Sequence, residues 1–593
     1  MAYISKRNRR REKERQNATK NRRELIEAGF TRRDLMKMGL IGATGMLLPI
    51  KGLSARARDP YGRKPLDDPE SPPTDPWLEE MPRLQVAQPV VLNPAPQRIA
   101  NTAAGEAPRA DHQRWDEFVA RFGAAVTYEN IAAQTSGHIL HPQLPPQTLF
   151  SYNGQVPGPL FHSFYGTRTI VRFRNNLPLI GFDGFGRGEI STHLHNGHTA
   201  SESDGFPMDF YAAPQYKDHH YPNIRAGYDQ FPDTAGDHRE TLNTLWYHDH
   251  RVDFTAQNTY KGLAGMYTLF DELDNNDETS PPPAFGLPSG EFDVNIVFQD
   301  RVFDEDNGRL FFDKFNLDGI LGDKFLANGK IQPFFRVRPR KYRFRLLNAG
   351  PSRFYQFFIR DKTTNSDIPF AVIANDGNLL PAPVLNQTSV RIAVAERIDI
   401  VVDFAGRENH NIILQNRLEQ EDGRGPTGDI LSPSEAMENI KFKVDLPLQN
   451  PDPSRIPAAF RPNPPLEDIA VQRTWRFDRS GGNWTINNKI FDEDEIRATI
   501  VQGTAERWVL QNNSGGWEHP VHIHFEEFQM LTRNGNLPPP VERGRKDVAR
   551  LGRNETIRLF MRFRDFVGRY PMHCHNTIHE DHAMMLRWDI VHP

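Results

Sequence analysis

Four pairs of histidines separated by one residue, His193/His195, His248/His250, His522/His524 and His573/His575, stand in two separate regions of a 593-residue chain. With 21 histidines in the chain, random placement gives about 0.7 such pairs, so four need a cause. Side chains at i and i+2 of a strand point to one face, about 6.5 to 7 Å apart, and each pair therefore offers two imidazoles on the same side. Four converging pairs supply eight imidazoles, too many for one ion and suited to a cluster of several. Imidazole suits zinc, copper, iron and nickel alike, so the pairs alone do not name the metal.

The single cysteine narrows the choice. It lies in "YPMHCHNTIHEDHAMM", residues 570–585, between His573 and His575. In a strand Cys574 faces away from both neighbours, so its thiolate can bind one metal while they bind others. Two histidines, one cysteine and a weak axial methionine form the blue-copper arrangement, and Cys574, His579, Met584 and the distant His519 can provide it. The backbone from Cys574 to its neighbours then joins a one-electron acceptor to a metal cluster.

The rest of the chain reads as mostly β structure in roughly three domains. Short runs such as "TIVRFRNNLP", "TLNTLWYHDH" and "ERIDIVVDF" alternate with turn residues, the spacing of sandwiches or barrels. We expect a Pro-rich arm and first domain over 58–274, a linker at 275–288, a second domain over 289–446, a linker at 447–465 and a third domain over 466–593. The middle block contains one histidine, His410. Residues 1–57 resemble a twin-arginine export signal, with "TRRDLMK", a short apolar run and "ARA". They hold 15 Lys/Arg and five Asp/Glu, leaving 57 basic against 71 acidic residues and a charge of −14 in the remainder. That acidity argues against nucleic acid as a partner. A soluble, exported or periplasmic monomer is expected, with the twin-arginine machinery as its export partner. Four further histidines, His198, His219, His220 and His238, fall in a long polar stretch and read as solvated; His582 matches no ligand position.

As a set these motifs resemble the three-domain multicopper oxidases over about residues 75–593, most closely the bilirubin oxidases and bacterial spore-coat laccases. The resemblance implies an all-β fold of three Greek-key cupredoxin domains in series and four copper ions per chain. It places His519, Cys574 and His579 on the type 1 copper with Met584 axial, and His193 and His522 on the type 2 copper. His195, His248, His250, His524, His573 and His575 fall on the type 3 pair, between domains one and three. It also gives Trp517 a place in the outer shell of the type 1 copper, and Asp204 and Glu580 a role near the oxygen site, where reduction of O2 consumes four protons. The implied activity is one-electron oxidation of phenols, aromatic amines or tetrapyrroles coupled to reduction of O2 to water.

Two other functions remain open on the sequence. A metallo-oxidase acting on Cu(I), Mn(II) or Fe(II) is one, although 13 methionines without a Met-rich run argue against a methionine-lined cuprous site. A copper-free periplasmic structural factor of the same fold is the other, and such a protein has no need to retain every ligand.

Overall fold

The computed structural model describes residues 71–593 except 181–183, 315 and 481; the expected export segment at 1–57 lies outside the described residues. Among the described residues, the strands form six larger sheets that stack in pairs as three sandwiches, each around its own apolar core. Inward-facing residues recur with the period of two expected of half-buried strands. In Tyr355–Asp361, for example, Tyr355, Phe357 and Ile359 are fully buried while the residues between them reach the surface.

The three sandwiches repeat one strand plan that the sequence does not display. In one sheet of each, a long opening strand runs parallel to a later one: Val126–His138 with Thr169–Asn175, Asp293–Phe303 with Lys341–Asn348, and Ile469–Ser480 with Ala505–Asn512. In the other sheet a parallel pair includes the last strand: Phe161–Phe164 with Ala264–Phe270, Phe334–Val337 with Met437–Val444, and Ile496–Val501 with Met585–Val591. A hairpin cannot join parallel neighbours, so the chain must cross to the opposite sheet between them, which closes each sandwich.

A separate apolar cluster welds the three units. Leu160, Trp246 and Met266 of the first pack with Val297, Leu347 and Ala395 of the second and Val548 of the third. The Pro-rich stretch from residue 71 is extended and bridges units: Met81 N donates to Phe334 O, and Ala87 N to Leu160 O. The stretch 275–288 is also packed, with Phe285 and Leu287 buried against Ala371, Ile373 and Val401.

The polar stretch around His219 is a correction to the sequence expectation. His219 and His220 sit on the strand Tyr216–Tyr221, paired with Thr169–Asn175, and both are buried, as is His198. Buried groups meet them: His219 Nδ1 donates to Ser203 O at 2.9 Å, His220 Nε2 accepts from Arg168 Nε at 3.0 Å and His198 Nε2 lies 2.8 Å from Asp565. His238 is exposed, and His582 meets the Ile578 carbonyl rather than any ligand set.

Candidate metal centre

Strand register decides which histidines share a face. Thr192–His195 pairs antiparallel with Thr244–Asp249, His193 opposite His248, so both lie on one side together with His195. In the third sandwich His519–Ile523 pairs with Gly568–Cys574, placing His522 opposite His573 and Val521 opposite Cys574. The two parities of this strand pair serve different places. His522, His524, His573 and His575 meet the first sandwich's histidines, while Val521 and Cys574 enter the core of the third, where His519 joins them.

Between the first and third sandwiches the eight imidazoles meet in three groups. His193 Nε2 lies 3.1 Å from His522 Nε2. His195 Nε2 lies 3.2 Å from His248 Nε2 and 3.0 Å from His575 Nε2. His524 Nε2 lies 3.2 Å from His250 Nε2 and 3.3 Å from His573 Nε2. Seven of the eight Nδ1 atoms have an acceptor. His193 and His522 face the carbonyls of Asp204 and Asp547, and His248 that of Asp249. His195 and His524 face the carboxylates of Asp547 and Asp204, at 3.0 and 2.7 Å. His250 and His573 share the Glu580 carboxylate, at 3.0 and 3.1 Å. A neutral imidazole that donates from Nδ1 keeps a lone pair on Nε2. Lone pairs aimed at one another across about 3 Å repel unless a cation lies among them, and this donor set fits metal ions. Burial pushes His195, His248, His522, His524 and His575 far below the ordinary imidazole range, with the neighbouring imidazoles adding to the effect, so they stay neutral and ready to ligate.

The other face of the strand pair holds a triangle. His519 Nδ1, Cys574 Sγ and His579 Nδ1 are 3.4, 3.6 and 3.3 Å apart. The centre of such a triangle is about 2 Å from each corner, the length of a metal–imidazole bond. Burial pushes the Cys574 thiol well above its ordinary range, and a coordinated metal reverses that by taking the thiolate. His579 is carried by the helix Thr577–Asp581, whose N-cap Asn576 accepts from Ile578 N. Met584 is fully buried and its main chain closes the loop, accepting from Cys574 N and donating to His579 O. One buried thiol, two imidazoles and a neighbouring thioether form a donor set that suits copper.

Three contributors carry no sequence signal. Asp318, in the second domain, accepts from His579 Nε2 through its carbonyl at 2.9 Å. The Trp484 ring lies 3.8 Å from the His579 ring and 5.2 Å from that of Trp517, which makes Trp517 part of the same aromatic wall. Asp547 serves His195 with its side chain and His522 with its carbonyl. Asp547 stands in "GRKDVAR", one acid among 76, so only the register of neighbouring strands exposes it.

A buried thiol between two imidazoles, back to back with eight imidazoles aimed at one another, defines a copper-dependent oxidase. Residues 463–592 match the family described as multicopper oxidase. The chain is 35% identical over 473 residues to the bilirubin oxidase of Albifimbria verrucaria, covering 78% of this chain and 76% of that one. It is 32% identical over 525 residues to the laccase of Bacillus subtilis (strain 168), covering 79% and 95%. A solved laccase from Pediococcus acidilactici shares the fold, with a TM-score of 0.67 and 23% identity over 88% of this chain and 95% of that one. The chain belongs to the multicopper oxidase family, and its sandwiches are the cupredoxin-like domains expected. It is a copper-dependent oxidoreductase that couples oxidation of a reductant to reduction of O2.

Proposed function

We propose that this oxidase takes electrons from small organic donors, namely phenols, aromatic amines or tetrapyrroles, using four coppers. His519, Cys574 and His579 would hold the type 1 ion with Met584 as its thioether neighbour, and His193 and His522 the type 2 ion. His195, His248 and His575 hold one type 3 ion, and His250, His524 and His573 the other. Bound copper supplies one-electron acceptance at the thiol site and reduction of O2 to water at the histidine cluster. The observation that carries this reading is the split of one strand: Cys574 faces His519 and His579 while its bonded neighbours face the cluster. The chain's own part is to join the two sites through the Cys574 backbone and to orient each imidazole by its far nitrogen. Glu580 and Asp204 stand beside the cluster, each carboxylate touching its histidines directly, where a proton relay to the oxygen site needs them. Likeness to a bilirubin oxidase and to laccases supports the donor class.

The "TRRDLMK" motif supports export of the folded protein through the twin-arginine route to the periplasm or beyond.

The test is a copper count and optical spectrum of wild type and Cys574→Ser. Wild type is expected to carry about four coppers and the intense blue band of a thiolate-bound copper; the variant is expected to stay soluble, lose the band and lose turnover. A blue, active Cys574→Ser protein ends the assignment. Turnover on a phenol against turnover on Mn(II) then separates an organic donor from a metal-ion donor.

A further inference from the structure

We propose that Arg397, from the second domain, is a positioning residue for the oxygen-reducing site, acting on His195 and His522 through Asp547. The proposal rests on the ligand assignment above. It gives the histidine-poor domain a part in the chemistry beyond spacing the other two.

Arg397 is fully buried and each of its five N–H donors has an acceptor. Nη1 donates to Asp547 Oδ1 at 2.8 Å and to Ala395 O at 2.9 Å. Nη2 donates to Asp547 Oδ2 at 3.2 Å and to Asp376 O at 2.7 Å. Nε donates to Thr244 O at 3.3 Å. One guanidinium therefore fastens the first domain at Thr244, the second at Asp376 and Ala395, and the third at Asp547. Thr244 begins the strand that carries His248, and Asp547 immediately precedes Val548–Leu551, the strand paired with His519–Ile523.

The fork fixes the plane of the Asp547 carboxylate, because a bidentate arginine–carboxylate pair has one favourable geometry. That plane decides where Oδ2 stands, 3.0 Å from His195 Nδ1 and 3.6 Å from His522 Nδ1, the latter hydrogen-bonded to the Asp547 carbonyl at 2.9 Å. A histidine on each of two neighbouring ions is thus aimed by one residue, itself held by one arginine. Without the fork, a buried carboxylate loses its counter-charge and is free to rotate. Groups behind metal ligands commonly contribute 10- to 100-fold in metal affinity or activity.

The experiment uses the full copper-loaded enzyme and the variants Arg397→Met and Arg397→Lys. It reads copper per chain, the blue absorbance of the Cys574 site, and the paramagnetic resonance spectrum of the type 2 copper. Arg397→Met is expected to keep the blue band, since Cys574 lies on the other face of its strand. It should hold the type 2 ion about 10- to 100-fold more weakly, give an altered type 2 spectrum, and lower kcat without changing KM for the reductant. Arg397→Lys keeps the charge but not the fork, so it should show the same spectral change to a smaller degree. A purely structural role would lower thermal stability and leave the type 2 spectrum alone. Should Arg397→Met fail to fold, Arg397→Lys decides: a wild-type spectrum and copper content there overturn the proposal. A colourless, copper-free wild type would instead overturn the ligand assignment and say nothing against the Arg397 fork as a structural feature.

Discussion

Asp204 touches two histidines with two different atoms, its carbonyl oxygen on His193 and its Oδ2 on His524. Only the second contact depends on side-chain charge. Asp204→Asn keeps the shape and an acceptor but removes the carboxylate, so copper content and the blue band should persist. If Asp204 delivers protons, steady-state turnover should fall by about 10²-fold or more, the range of general acid–base effects. Parallel measurement of blue absorbance and rate checks this; an unimpaired rate would make Asp204 only a tether. At this scale the sequence was legible wherever ligands repeat at spacing two or cluster around a cysteine. It was silent for Asp547, Asp318 and Trp484, each an ordinary residue type that becomes part of the site only through a contact across many residues.

The short helix Ser201–Asp204 exists to present Asp204, and its end is fixed by Gly205 at φ 84°. That conformation disfavours a side chain, and a Cβ there would stand 2.0 Å from Thr192 O and 2.7 Å from His193 N. Gly205→Ala must therefore move the strand that bears His193 and His195. Lower copper content and an altered type 2 spectrum are expected, with the blue band kept; a fully loaded alanine variant would show that the strand yields freely. Periodicity made the strands legible and the alternation within H-C-H made their two-faced use legible. It misread Tyr216–Tyr221, "YKDHHY", because a polar strand covered on both faces looks like a loop when its partners are unseen.

Across the whole molecule, stability and metal binding respond to acid in two separate windows. Burial lowers His250 to about 4, against the pull of Glu580, and His519 to about 3. Their folded values lie below the ordinary 6.5, so the unfolded chain binds protons first as pH falls, and stability drops from about 6.5 downward. Metal-free protein, with eight mutually facing imidazoles and the His519–His579 pair, should lose thermal stability steeply below that pH. Copper should restore it, since a ligand that binds only the folded state stabilises it. Melting curves with and without copper between pH 7 and pH 4 test this, and coincident curves would refute it.

The second window belongs to Glu240 of the first domain, gripped by Arg545, Arg562 and Arg564 of the third. Burial alone would raise its carboxyl, but the three guanidiniums outweigh that and hold it at about 2. Its contribution is present above the ordinary 4.5 and is lost as pH falls toward 2.

What the amino-acid sequence determined by itself is the donor inventory and its local geometry. Spacing and strand period set which imidazoles share a face and which side the thiol takes, because those relations span two or three residues. Only the tertiary structure decided the threefold strand plan, the burial of His198, His219 and His220, and the acids and arginine that aim the ligands. Those depend on residues far apart in sequence meeting in space, as at the junction of three domains where Arg397 reaches Thr244 and Asp547, each at least 150 positions away. A periodic pattern carries no information about such meetings; packing and register create them.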